Sequence, residues 1–466
     1  MRQLSGLDAG FLSLETETAP MLIGSVSILD PSTSEEPLGV DGFRALLHSR
    51  LAETVALRRQ LATVPLDLTR PYWVEVSPDE VDLGHHVERT RLPEPGGWHE
   101  LSELMAFELS RPLDRSLPLW QILFVEGVDS VPGVPAGSVA LIGRVHHAAI
   151  DGVSGTQILG ALFDRPEGLS PPPANRAMRE PRAIEMLARA GQDLSSAPRA
   201  VSGAVGSSLL GLAGSTWSRI RGAESPPRLF SGPRTSLNRP IGAARSWAPA
   251  IFDLERVKAV KNAAEATVND VVLAVCAGAL RAWLAERNEL PDDSLVAMVP
   301  VSVRSETETF DAGNLVSAML VSLATDVPDS GDRLRAIRDA ARSSKKALRA
   351  VGARTLVRSA ELFPFALSGL GVRLYSRLHL AERHKPMFNL VITNVPGPPR
   401  PLTIGGARML AHVGAAPLFD GLGLILPVFS YAGSISIGVT ADRKILPDAA
   451  EFARLLTASL DELPGS

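Results

Sequence analysis

Cysteine is nearly absent. Cys276 is the only one among 466 residues, which excludes an internal disulfide and a cysteine-built zinc site. A reducing compartment is compatible with this. Charge of one sign is also missing: 47 Lys and Arg stand against 51 Asp and Glu, a net charge of −4. That balance argues against a general nucleic-acid binder, and 21% charged with 45% hydrophobic residues argues against disorder or a coiled coil. Nothing reaches the roughly 20 uninterrupted apolar residues of a membrane-spanning helix. The nearest run, 422–439, is broken by Gly423, Pro427, Ser430 and Gly433. Its end alternates, with Ile435, Ile437 and Val439 on one side and Ser434, Ser436 and Gly438 on the other, which is a strand pattern. No apolar leader follows Met1-Arg2-Gln3-Leu4-Ser5, and no internal repeat is visible. The expectation is a soluble or peripherally bound protein.

What is present divides into three parts. At roughly 150 residues per domain, the length allows about three domains or two large ones. Residues 1–163 read as mixed helix and strand. Helical spacing of Phe43, Leu46, Leu47, Leu51 and Val55 predicts a helix over 43–61, and 120–125 and 139–145 read as strands. Residues 164–250 are rich in Pro, Ser, Gly and Ala and read as a crossover, partly helical or mobile. Residues 251–466 form a second half with two strong helices, 267–286 and 332–350. Cys276 lies in the first of these, in an apolar run where packing is its role. Between Arg333 and Lys385 the local charge is +10, leaving −14 on the remainder. Such a segment is either a solvated helical face or a surface for phosphates or an anionic membrane.

The segment richest in chemistry is Arg144-Val145-His146-His147-Ala148-Ala149-Ile150-Asp151-Gly152. It follows an apolar strand and leads into a turn and a predicted helix over 153–163. Adjacent strand side chains face opposite ways. If extended geometry continues through the pair, His146 and His147 cannot grip one metal ion together. One imidazole is then free to act as a base near neutral pH while the other supports it. Asp151 either orients a histidine, as the acid of a triad does, or holds the Asp-Gly turn through local hydrogen bonds or an arginine, with Arg304 as one partner. A second pair, His85-His86, has no Asp-Gly after it and reads as loop or strand-end residues.

Thr267-Val268-Asn269-Asp270 fits a helix-capping pattern, so Asp270 either closes the helix start or meets a ligand. Asn269 sits where unsatisfied N–H groups and a positive partial charge collect, and could contact an oxyanion or a substrate carbonyl.

His146 to Gly152 matches the HHxxxDG signature of the CoA-dependent acyltransferase superfamily. Further strings narrow the resemblance to the wax ester synthase/diacylglycerol acyltransferases, the actinobacterial triacylglycerol synthase type in particular. They are Leu7-Asp8-Ala9-Gly10-Phe11; Arg111-Pro112-Leu113-Asp114 with Pro118-Leu119-Trp120; 269–274; Pro300-Val301-Ser302-Val303-Arg304; Gly313-Asn314; and Asn394-Val395-Pro396-Gly397-Pro398. They stand in the family's order across nearly the whole chain.

The resemblance implies an α/β (α+β) protein of two chloramphenicol-acetyltransferase-like domains, each a mixed sheet flanked by helices, with a tunnel between them. It implies His147 as general base, with His146, Asp151 and Gly152 supporting the motif loop. It also implies no metal and no permanently bound cofactor, with acyl-CoA as substrate and diacylglycerol or a long-chain alcohol as acceptor. A cytoplasmic location at a membrane or lipid-droplet surface goes with such substrates. A polyketide hydroxyl or amine acceptor, or a non-catalytic lipid-binding role, are the alternative readings.

Overall fold

The computed structural model describes residues 2–36, 38–64, 69–150, 162–164, 230–302, 316–351 and 383–466, with residues 186, 227, 374 and 378 singly. Asp151, Gly152 and Arg304 lie outside the described residues, as do the expected helix over 153–161 and most of 164–229 and 352–382.

Two six-stranded sheets dominate. The first runs, edge to edge, Thr403–Ile404, Ala407–Ala415, Leu22–Asp30, Ser138–His146, Trp120–Val128, Val87–Arg91. Its neighbours are antiparallel except the last pair. The second runs Val316–Ser322, Val296–Ser302, Leu390–Val395, Leu424–Tyr431, Ser434–Asp442, Arg245–Asp253, with a parallel centre and antiparallel edges. A small sheet of Arg2–Gln3, Tyr72–Glu75 and Arg59–Ala62 covers the start of the chain.

Sheet membership does not follow chain order. Ala407–Ala415 belongs to the second half by sequence but pairs with Leu22–Asp30 in the first sheet. Arg245–Asp253 begins inside the segment read as crossover and forms an edge of the second sheet. Pro249 sits within that strand, and an edge is where a missing N–H is tolerated. The 43–61 helix is also shorter than its spacing implies. It spans Val40–Leu51, and the chain then turns through Val55–Arg58 into the strand Arg59–Ala62. Arg58 fixes that turn, its buried guanidinium donating to the Leu51 and Val76 carbonyls. Periodicity alone could not reveal such a long-range partner.

The helix Val268–Glu286 is long and apolar enough to cross a bilayer, yet 72% of its apolar window is buried inside the protein. It packs on the helix Ala449–Asp461 so closely that a Cβ on Gly278 would lie 2.0 Å from Ser459 Oγ. The Ser434–Asp442 strand buries its polar side too, because Ala407–Ala415 lies across it. Ser436 Oγ donates to His412 O at 2.7 Å, and a Cβ on Gly438 would meet Gly414 O at 1.8 Å.

The basic helix spans Ser330–Val351. Not all its cations face solvent. Arg333 is buried and donates to the Val327 and Pro328 carbonyls, while Arg338 donates to Ala264 O.

Candidate active site

The strand Ser138–His146 ends one residue before the turn His147–Ala149. Extended geometry therefore stops at His146, and the alternation argument does not carry through the pair. The rings are separated by other means, and both are held by one face of the helix Gly6–Leu14 and its C-cap. Phe11 and Glu15 are four residues apart, and on a helix such positions share a face. The Phe11 ring stacks on His147, with centroids 3.6 Å apart and planes at 18°. Glu15 Oε2 lies 3.6 Å from His146 Nε2.

His146 is 1% exposed and works as a structural pin. Its Nδ1 accepts the Ala148 N–H at 3.1 Å, capping the turn that carries His147. With Nδ1 an acceptor, Nε2 is the ring nitrogen that carries a proton, and it faces Glu15 beyond hydrogen-bond distance. Arg115 holds that carboxylate from the other side, its Nε at 2.6 Å. Burial pushes Glu15 up, but the His146 ring and the Arg115 guanidinium outweigh it and keep the carboxyl below its usual range.

The backbone of His147 is fixed by its N–H donating to Met21 O at 2.7 Å and by its carbonyl accepting the Ile150 N–H at 3.3 Å. The residue keeps partial exposure, but its Nδ1 is buried and has no partner among the described residues. Burial lowers its pKa to about 4, opposed by its own backbone carbonyl and reinforced by His146. The ring is neutral at physiological pH, the form that accepts a proton.

Two residues upstream of the first histidine, Arg144 is buried against Glu108, with Nη2 3.0 Å from Oε2. Its Nη1 donates to Glu108 O at 2.8 Å and Arg111 O at 3.0 Å. This pair anchors the chain entering Arg111-Pro112-Leu113-Asp114 to the strand that ends in the histidines.

The other candidate residues gather on the second sheet. Thr267 and Asp270 form a reciprocal cap. Asp270 Oδ2 accepts from Thr267 N at 2.9 Å and from its hydroxyl at 2.8 Å, and the Asp270 N–H donates to Thr267 Oγ1. The carboxylate is buried at the helix start. Asn269 is half-buried beside it, and its Oδ1 accepts from Asn394 Nδ2 at 3.4 Å. The Asn269-Asp270 and Asn394–Pro398 strings, 125 residues apart, thus meet. The link to the histidines runs through Phe11. It packs with Leu4, Leu12, Leu119 and Ala148 under the His147 turn, and also with Met21 and with Met298, Val391 and Ile425 of the second sheet.

Among the described residues no group of three or more His, Cys, Asp or Glu could hold a metal ion. Cys276 is fully buried, and that burial pushes its thiol up to about 12, leaving it inert packing.

Comparison with known proteins decides the family. Residues 4–272 match the wax ester synthase/diacylglycerol acyltransferase catalytic domain, and 312–464 match the WS/DGAT C-terminal domain. The chain belongs to the wax ester synthase/diacylglycerol acyltransferase family. A Mycobacterium tuberculosis protein bearing the name diacylglycerol O-acyltransferase is 33% identical over 99% of this chain and 90% of its own length. Another, tgs2 of the same species, is 35% identical over 98% and 97%. The wax ester synthase/diacylglycerol acyltransferase of Marinobacter aquaeolei VT8 has a solved structure that superposes with a TM-score of 0.69 at 29% identity, covering 99% of this chain and 98% of that one. The first condensation domain of the CDA synthetase shares the fold alone, at a TM-score of 0.54 and 14% identity. As a family member this protein is an acyltransferase of two-domain, condensation-like architecture.

Phe11, Glu15, Arg115 and Glu108 are not identified by the sequence reading as parts of the site. The signal available was the pair of strings Leu7–Phe11 and Arg111–Asp114, which mark the family without saying what they touch.

Proposed function

We propose that this acyltransferase moves a long-chain acyl group from acyl-CoA to diacylglycerol, with a long-chain alcohol as second acceptor, and that His147 is its general base. One observation carries the assignment: a neutral imidazole on a partly exposed residue, with a sealed Nδ1, stacked on Phe11 at the junction of the two halves. The names of the mycobacterial and Marinobacter relatives support the substrates.

His147 Nε2 takes the proton from the acceptor hydroxyl as its oxygen attacks the thioester carbonyl carbon. The tetrahedral intermediate carries the negative charge on the former carbonyl oxygen, beside which we place Asn269. Collapse breaks the C–S bond, and the CoA sulfur takes the proton back from His147. No acyl-enzyme forms, and the protein ends in its starting protonation state. His146 keeps its pinning role, with Glu15 as its partner. Asp151, Gly152 and Arg304 belong to the same proposal as support for the motif loop. We further place the enzyme at a cytoplasmic membrane or lipid-droplet surface. The exposed cations of the Ser330–Val351 helix, Arg335 and Lys346 among them, supply attraction to anionic lipid.

The test is CoA release from a long-chain acyl-CoA with diacylglycerol against hexadecanol, for the wild type and His147→Ala. Release with diacylglycerol that collapses in the variant is expected. Release unchanged by the substitution would overturn the base assignment, and release only with hexadecanol would overturn the acceptor.

A further inference from the structure

A cavity of about 400 Å³ opens between the segment Arg234–Arg239 and the approach to the strand Leu390–Val395. That is within the usual size of a small-ligand site. It shares no residue with the histidine pair, and its walls are polar. Arg234 and Arg239 supply the cationic side, Glu289 a carboxylate, Thr235 and Ser236 hydroxyls, and His384 an imidazole.

Two features set this cavity apart from an ordinary surface recess. First, its two arginines, Ser236 and one oxygen of Glu289 are left over. Neither Arg234 nor Arg239 has a side-chain hydrogen bond or ion pair among the described residues. Ser236 is 8% exposed, and its Oγ is buried without a partner among them, as is Glu289 Oε2. Buried polar atoms are ordinarily satisfied, and each one left alone calls for an explanation. Second, the floor is rigid. Asn238 Nδ2 donates to Gly421 O at 2.9 Å and Asn389 O at 3.1 Å. Asn389 Nδ2 returns to Asn238 Oδ1 at 2.9 Å and reaches Pro233 O at 2.7 Å. Asn389 Oδ1 also accepts Val296 N–H at 2.9 Å. This buried amide pair clamps the loop carrying both arginines onto the second sheet, so the cationic rim is held in place before any ligand arrives.

We propose that this cavity binds a phosphate monoester that also carries a hydroxyl or amine. Unpaired guanidinium groups suit phosphate oxygens through paired, charge-assisted hydrogen bonds. The Ser236 hydroxyl adds a donor. Glu289 would repel a bare anion, but its vacant Oε2 accepts a proton donor placed beside the phosphate. The ligand is thus a phosphorylated alcohol rather than a simple ion. That chemistry occurs in the nucleotide end of a CoA ester and in a phosphate-monoester lipid headgroup.

The test is titration of the full chain at fixed ionic strength with adenosine 3′,5′-bisphosphate, with inorganic phosphate, and with phosphatidylcholine vesicles with and without lysophosphatidic acid, whose glycerol keeps a free hydroxyl. Saturable binding of the bisphosphate or of the lysophosphatidic acid vesicles is expected, weakened ~10- to 100-fold by Arg234→Gln with Arg239→Gln. Which arm responds identifies the source. Both arginines are exposed, so the variant should unfold like the wild type. Glu289→Ala should weaken the organic ligand and tighten inorganic phosphate, and the same change for both would overturn the hydroxyl contact. Absence of saturable binding in every arm, or affinities unchanged in the double variant, overturns the site. No acyl transfer is read in these titrations, so their failure is separate from a failure of the His147 assignment.

Discussion

His85-His86 and His146-His147 adjoin the same sheet, the first ending the short helix Leu83–His86 that leads into its edge strand Val87–Arg91 and the second closing the more central Ser138–His146. Each pair presents one ring to an aromatic platform. His86 stacks on Trp120 at 4.4 Å and 20°, and His147 on Phe11 at 3.6 Å and 18°. Burial lowers the pKa of both. The difference lies in what remains unused. His86 is 1% exposed, and its Nδ1 donates to Trp120 O at 2.8 Å. His147 keeps partial exposure and an unpartnered Nδ1. A stacked, desolvated imidazole is therefore not a site by itself. Partial exposure of the residue combined with an unmet hydrogen-bonding capacity distinguishes the ring we propose as the base from the packed one.

The comparison can be broken by exchanging the consequences of the two rings. His147→Ala should lower CoA-release turnover per folded molecule by ~10²–10⁴, the usual contribution of a positioned base. His86→Ala should leave turnover per folded molecule near wild type and instead cost about 2–4 kcal/mol of stability, read from urea midpoints. Equal losses of turnover in both variants would erase the distinction. A second test concerns what holds the reactive strand end. Arg144→Met leaves the buried Glu108 carboxylate with only the half-exposed Arg111, 3.4 Å away, as its partner, which should destabilise by up to about 3–5 kcal/mol. Adding Glu108→Leu should recover much of that in the same urea titration, because the stranded charge is gone. No recovery would mean that Arg144 matters through its carbonyl contacts to Glu108 and Arg111, not through the ion pair.

Much of this is legible in the residues. The two long helices of the second half show their spacing because each buries an apolar face. The strands over 120–125 and 139–145 are readable from their apolar, β-branched and aromatic runs, and the family from ordered short strings. The supports are not legible. Glu15 meets Arg115 across 100 positions, and Arg144 meets Glu108 across 36. Neither spacing belongs to a helix or a hairpin, so no local pattern reports it. The same holds for Ala407–Ala415. Its Ala, Arg, Met and Leu carry no strand bias, and only pairing with Leu22–Asp30 makes it a strand of the first sheet. The His85-His86 pair shows the reverse limit: its lack of a following Asp-Gly separates it from His146-His147 without any contact being known.

Acid should sharpen the comparison from another side. His147 and His412 both titrate at about 4 in the folded protein, and His86 is also lowered. An unfolded histidine titrates near 6.5, so below that pH the unfolded chain binds more protons than the native one. The stability these rings contribute is complete above about pH 6.5 and is lost as pH falls toward about 4, up to about 3 kcal/mol for each of His147 and His412. Glu15 and Asp164, held below the usual carboxylate range, add their losses at still lower pH. Urea midpoints between pH 7 and 4 should therefore fall for the wild type, and less steeply for His412→Gln. A flat profile would show that these rings are hydrated.

The smallest effect addresses the platform itself. Phe11→Leu keeps an apolar side chain under the His147 turn but removes the flat ring in contact with the imidazole. If the ring is what excludes water from His147, the substitution admits it, and the pKa should rise from about 4 toward 6.5 in an NMR titration. A lost aromatic stack is worth about 0.5–1.5 kcal/mol, so turnover should fall only ~2- to 10-fold. The acid limb of the rate profile should move upward with the pKa, because more of the base is protonated at a given pH. Trp120→Leu provides the counterpart: it should raise the pKa of His86 without moving that limb. An acid limb that follows His86 instead of His147 would assign the proton transfer to the wrong pair and reverse the reading of both.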